Sequence, residues 1–167
     1  MRLFLNARSA IFTCLKYLGL KGNDEVYIET TSGGAYISSC VTDTINSVCT
    51  WRQTITQNTK LILIIHEFGF PFGEARIKSL MGTGIPILED CAYGIGSRLQ
   101  GASIGNFGEF AVHSFPKYYP VHRGGVLVSR ITLDSRLDWK SREFADLLLD
   151  PRDTVEMSYL ASLDDST

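Results

Sequence analysis

Apolar positions along this chain follow two rhythms, one of strands and one of helices. The runs KLILIIH (residues 60–66) and IPILED (85–90) are almost continuously apolar over strand length. Such runs predict strands covered on both faces, as in a parallel sheet. EVYIE (25–29), EFAVHSF (109–115) and GGVLVS (124–129) predict further strands. Between them the spacing turns helical: Ile11, Cys14, Leu15 and Leu18 share one face of a predicted helix over 10–20, punctuated by Gly19 and Gly22. A weaker helix is expected over 35–47. Another is expected over 74–81, where Ala75, Ile77, Leu80 and Met81 would form the inward face. Residues 134–149 read as a charged helix, and 151–167 as an irregular tail opened by Pro151. Strands alternating with helices argue for an α/β fold, three layers around a mainly parallel sheet.

A length of 167 residues suits one domain with a real core, expected over residues 1–150. The net charge is −2, and Lys and Arg are scattered, which gives no basic groove for nucleic acid and no patch for an anionic membrane. Without such a groove, Trp51, Tyr118 and Tyr119 read as packing residues rather than a platform for bases. LILII (61–65), the longest apolar run, is far short of the roughly 18–20 residues of a membrane span. Asn6, Arg8 and Ser9 interrupt the apolar start MRLFL before a signal-peptide core forms, so a cytoplasmic location is expected. Cys14, Cys40, Cys49 and Cys91 lack metal-knuckle or disulfide-scaffold spacing and read as reduced, mostly buried thiols. With three histidines far apart in sequence, no metal site is expected.

The candidate chemistry lies at strand ends, where open α/β sheets collect ligands. Asp90 ends the buried run IPILED. A carboxylate there either accepts hydrogen bonds at the sheet end or anchors something cationic. Lys117 follows the strand ending HSF, in a loop restricted by Pro116, Pro120 and the Gly124/Gly125 pair. It is either a solvated surface lysine or, where desolvation disfavours its ammonium form, a Schiff-base nucleophile. An Asp for a pyridinium nitrogen and a Lys for an aldehyde are what pyridoxal phosphate (PLP) asks of a protein. His66 reads as a structural cap at the end of its strand. Gly94 and Gly96 begin a dinucleotide fingerprint that fails at Leu99.

The strings ARSAIFTCLKYLGLKGNDEVYIE, TKLILIIHEFGFP and GIPILEDCAYGIGSRLQGASIGNFGEFAVHSFPKYYPVHRGGVLVS, in that order, resemble the large domain of the DegT/DnrJ/StrS sugar aminotransferases, which are fold-type I PLP enzymes. The most specific part is the ordered set EDCA, G-S-R-L-x-G, G-x-F-G, SF, lysine and GG. The resemblance implies transamination of a nucleotide-linked keto sugar, with glutamate or glutamine as amino donor, in a homodimer. By its implication Asp90 keeps the pyridine nitrogen protonated, and Lys117 binds the cofactor covalently and shuttles the proton. Ser114 contacts the phosphate, Ala7 and Arg8 open a helix that receives it, and Tyr93 stands near the phenolic oxygen. Family members that act as dehydratases carry a histidine at the lysine position; Lys117 speaks against that reading, although His122 lies nearby.

The sequence also departs from the family pattern. TTSGG follows EVYIE, and Gly33 offers no ring where the family stacks one on the cofactor. Only VCTWRQT stands where a strand and its connections are expected, which suggests a deleted segment. The small carboxy-terminal domain is expected to be absent, and an amino-terminal segment to be short or missing. These departures keep open a shortened, non-catalytic relative that binds PLP or a protein partner. A flavodoxin-like nucleotide binder is a third reading.

Overall fold

The computed structural model describes residues 1–132. The expected helix over 134–149 and the tail over 151–167 lie outside the described residues.

A seven-stranded sheet runs in the order β1-β9-β8-β5-β4-β2-β3. Its strands are β1 (Arg2–Phe4), β2 (Glu25–Thr30), β3 (Thr50–Arg52), β4 (Thr59–Ile65), β5 (Ile87–Asp90), β8 (Phe110–Ser114) and β9 (Gly125–Ser129). From β3 to β8 all neighbours are parallel, whereas β9 lies antiparallel between β8 and β1. The continuous apolar runs occupy the centre of the sheet, as their two-sided coverage requires: Leu61, Leu63 and Leu88 face one layer, Ile62, Ile64 and Ile87 the other.

Helices α1 (Ala7–Tyr17) and α2 (Ser39–Asn46) cover the first face through Ala10, Ile11, Cys14, Leu15, Val41 and Ile45. Helix α3 (Glu74–Met81) covers the second through Ile77 and Leu80. The inward face of α3 is narrower than expected, since Ala75 and Met81 are exposed. Arg76, on its outer side, fixes α3 to the sheet by gripping both carboxylate oxygens of Glu29 in β2, at 3.0 and 3.2 Å from its Nε. The three layers predicted from the sequence are therefore present.

Helix α1 begins at Ala7, three residues ahead of its apolar periodicity. Asn6 sets this start: its side chain accepts the Ser9 N–H at 3.0 Å, which satisfies one of the donors every helix start leaves open. Where the sequence suggests a deleted segment before ITQNTK, VCTWRQT still supplies an edge strand. β3 pairs with β2, and Arg52 Nε donates to Glu25 at 2.5 Å. β1 and a two-residue-per-strand hairpin, β6 (Arg98–Leu99) with β7 (Ala102–Ser103), were not expected from the pattern. The hairpin turns on Gln100 and Gly101, both at positive φ (49° and 85°), as a tight two-residue hairpin demands.

Candidate active site

Two adjacent carboxylates end β5, and strand geometry sends their side chains to opposite faces. Glu89 is fully buried. Its Oε1 accepts the N–H groups of Phe107 and Gly108, both at 2.7 Å; its Oε2 accepts Gly105 N–H at 2.8 Å and meets His66 Nε2 at 3.0 Å. Burial pushes this carboxyl up, but the hydrogen bonds from His66, Gly108 and Gly105 outweigh it and hold the group below its ordinary value. His66 Nδ1 accepts the Phe72 N–H at 3.0 Å, so Nε2 carries the proton that points at Glu89. Cys91 Sγ approaches the same two side chains, and the ligand atoms of the three lie within 4.8 Å of one another. Both ring nitrogens of His66 are already engaged, so this cluster serves as a staple between β4, β5 and the 105–108 loop.

Asp90 is also buried, at the end of β5. Its Oδ1 accepts the Ala92 N–H at 2.9 Å, and its backbone oxygen accepts the His66 N–H at 3.1 Å. Burial dominates its ionisation and raises its pKa; the Ala92 hydrogen bond and the charge of Lys117 oppose this only in part. A carboxylate in this state gains from any cationic N–H donor that reaches it.

Lys117 ends a tight turn, Phe115–Lys117, that follows β8 and has Pro116 in its first positions. The N–H groups of Tyr118 and Tyr119 both close on the Phe115 carbonyl at 2.9 Å. The amine is exposed rather than enclosed in an apolar loop. Its Nζ lies 4.7 Å from the centroid of the Tyr93 ring, which meets the Phe68 ring at 6.1 Å. Tyr93 therefore presents its ring face to Lys117. Since β5 and β8 are parallel neighbours, with Asp90 opposite Val112, the turns that follow them open at the same end of the sheet.

Ser114, buried at the end of β8, is paired with Gly125 of β9. A Cβ on Gly125 would lie 2.3 Å from the Asn6 carbonyl carbon and 2.5 Å from Ala7 N. Only glycine lets the start of α1 come this close. Ala7, followed in α1 by Arg8, is thus brought through Gly125 to the corner of Ser114, at the end of the sheet where Asp90 ends β5. The sequence reading missed the Glu89 staple and Phe68. The first had a visible signal, an acidic pair in a strand whose alternation must bury one of the two.

This arrangement can be set against known proteins. The profile of the DegT/DnrJ/EryC1/StrS aminotransferase family matches residues 41–146. The chain belongs to this family. It is 29 % identical over 140 residues to a GDP-perosamine synthase of Escherichia coli O157:H7, which covers 74 % of this chain and 38 % of the relative. It is 33 % identical over 92 residues to the UDP-N-acetyl-3-dehydro-alpha-D-glucosamine 3-aminotransferase of Acidithiobacillus ferrooxidans, covering 54 % and 25 % respectively. The chain thus spans less than half the length of these relatives. A candidate sugar aminotransferase from Streptococcus pneumoniae, solved in its PLP form, superposes with a TM-score of 0.67 at 20 % identity, over 78 % of this chain and 41 % of that one. That likeness shows a shared fold. Among the described residues no helix of this family member is long and apolar enough to cross a membrane.

Proposed function

We propose that this chain is the cofactor-holding part of a PLP-dependent aminotransferase that acts on a nucleotide-linked keto sugar, with glutamate or glutamine as amino donor. The observation that carries the reading is that Asp90 ends β5 and Lys117 sits in the turn after β8, its parallel neighbour, at the same end of the sheet, with the Tyr93 ring beside the amine. The residues present fit the cofactor. Asp90 is a buried carboxylate short of a cationic partner, Lys117 offers a primary amine, and the first-turn N–H groups of α1 at Ala7 and Arg8, with the Ser114 hydroxyl, suit a phosphate dianion.

When bound, PLP supplies an aldehyde that joins to an amine and a protonated ring that draws electrons from the substrate carbon. Asp90 keeps the proton on the ring nitrogen by its negative charge, in a buried setting where that charge acts strongly. Lys117 Nζ holds the cofactor, then takes up and returns the proton at the substrate carbon. The Tyr93 ring stands beside this amine. As the family resemblance implies, two copies would assemble around the site.

The test is to incubate the protein with PLP, reduce with borohydride and map the modified peptide by mass spectrometry, beside Lys117→Ala. Labelling confined to Lys117 is expected; labelling that is absent, or spread over other lysines and unchanged in the variant, rejects the reading. Gly33, at φ 68° in the loop at the same end of the sheet, brings no side chain to the site. It favours a second reading, a relative that holds PLP without turnover. Adding amino donor to the loaded protein separates the two, since conversion to the amine form requires a working proton shuttle at Lys117.

A further inference from the structure

Phe68 lies in the tight turn Glu67–Gly69, between β4 and α3, with φ 50° and ψ 23°. A bulky side chain seldom enters this left-handed region. The ring is 79 % exposed, so burial does not offset the conformation. What the conformation achieves is placement: the Phe68 and Tyr93 rings sit 6.1 Å apart at 46°, and Tyr93 carries Lys117 Nζ at 4.7 Å.

The turn is held against Tyr93 from several sides. A Cβ on Gly69 would stand 2.3 Å from the Tyr93 carbonyl oxygen, so the backbone there is in close contact. Thr31 Oγ1 donates to the Phe70 carbonyl at 3.0 Å, and Glu67 accepts the Ser32 N–H at 2.6 Å, tying the turn to the loop after β2. Strained, well-braced residues of this kind collect at ligand sites, where the surrounding structure fixes them in advance. We propose that Phe68 and Tyr93 together form the aromatic wall of the site, against which a flat, electron-poor ring packs when it is seated between Asp90 and Lys117. Aromatic faces are electron-rich and suit a protonated heterocycle. The inference rests on the PLP reading above.

The test compares wild type, Phe68→Gly and Tyr93→Leu in thermal unfolding without cofactor, in PLP titration followed by absorbance, and in native mass by light scattering. Glycine adopts this φ without strain, and the lost ring is exposed, so Phe68→Gly is expected to melt at or above the wild-type temperature. Its Kd for PLP is expected to rise about three- to tenfold, the size of one aromatic contact. Tyr93→Leu is expected to weaken PLP similarly, and borohydride labelling stays at Lys117 in both. Unchanged PLP affinity in both variants, with wild type labelled at Lys117, overturns the wall and leaves the cofactor reading standing. A loss of affinity that follows a drop in native mass assigns Phe68 to a contact between two copies and also overturns it. Failure of wild type to bind PLP rejects the cofactor reading itself.

Discussion

Replacing Glu89 by glutamine tests whether the second carboxylate of β5 is the staple its geometry describes. The wild-type carboxylate receives four donors, two on each oxygen. Glutamine has one acceptor oxygen and one NH2. If its oxygen keeps Phe107 and Gly108, the NH2 faces the Gly105 N–H and the proton on His66 Nε2. In the flipped orientation the other pair is lost. His66 cannot rescue the first arrangement by moving its proton to Nδ1, because that nitrogen already accepts the Phe72 N–H. Two buried donors are orphaned either way, at roughly 1–3 kcal/mol each. Removing a buried charge returns part of this, and a net loss of about 3 kcal/mol is expected, a large share of a stability of about 5–15 kcal/mol. Urea unfolding measures it, and hydrogen exchange should show faster labelling at Gly105, Phe107 and Gly108. The pH dependence adds a signed test. The folded-state pKa of Glu89 lies below its unfolded value, so its contribution is complete above the unfolded pKa and is lost as pH falls through the folded one. The glutamine variant lacks this acid-side loss. A destabilisation under about 1 kcal/mol at neutral pH, with unchanged exchange of the three amides, would refute the reasoning.

Asp90→Asn should act in the opposite direction. The folded pKa of Asp90 is raised, so the ionised group opposes folding above that pKa and not below the unfolded one; the variant should gain on the order of 1 kcal/mol at pH 7, fading in acid, while PLP binding weakens. A variant less stable than wild type at pH 7 would contradict this. Gly125→Ala forces a Cβ onto the backbone of Asn6 and Ala7, and should cost about 1–3 kcal/mol in urea unfolding and also weaken PLP by displacing the start of α1. Among the cysteines only Cys40 is exposed; burial pushes the thiols of Cys14 and Cys91 far up and that of Cys49 to about 11. A thiol reagent should therefore modify Cys40 rapidly in the native protein and the other three only on unfolding, as mass mapping would show.

The parts of this molecule legible in its sequence are those decided by local pattern. KLILIIH and IPILED announced buried parallel strands because a strand with no polar face has nowhere else to go. Helix α3 is legible over Glu74–Met81, although only Ile77 and Leu80 of its predicted inward face are buried. Apolar periodicity alone starts helix α1 at residue 10, because its first turn is fixed by the Asn6 cap and by the close approach of Gly125, and neither interrupts an apolar rhythm; the family resemblance implies the start at Ala7 and Arg8. β3 was overlooked because a three-residue edge strand has too few positions to alternate; it exists by pairing with β2, a long-range contact no window of sequence contains. The candidate site divides along the same line. Asp90 ends a strand and Lys117 lies in the turn just after one, and strand ends are where a parallel sheet gathers its chemistry. Phe68 could not stand out, since its meaning lies in a backbone angle and in a ring contributed by Tyr93 from the turn after β5. Glu89 lies between these cases. EDCA shows two carboxylates side by side, and the pleat requires that they part: Asp90 is buried with the Ala92 N–H on its side chain, and Glu89 enters a nest of backbone N–H groups that rewards an anion. Their pKa values shift in opposite directions for that reason. The pair is thus one local device with two roles: Glu89 fixes the strand end, and Asp90, buried on the other face, holds a carboxyl that burial pushes up.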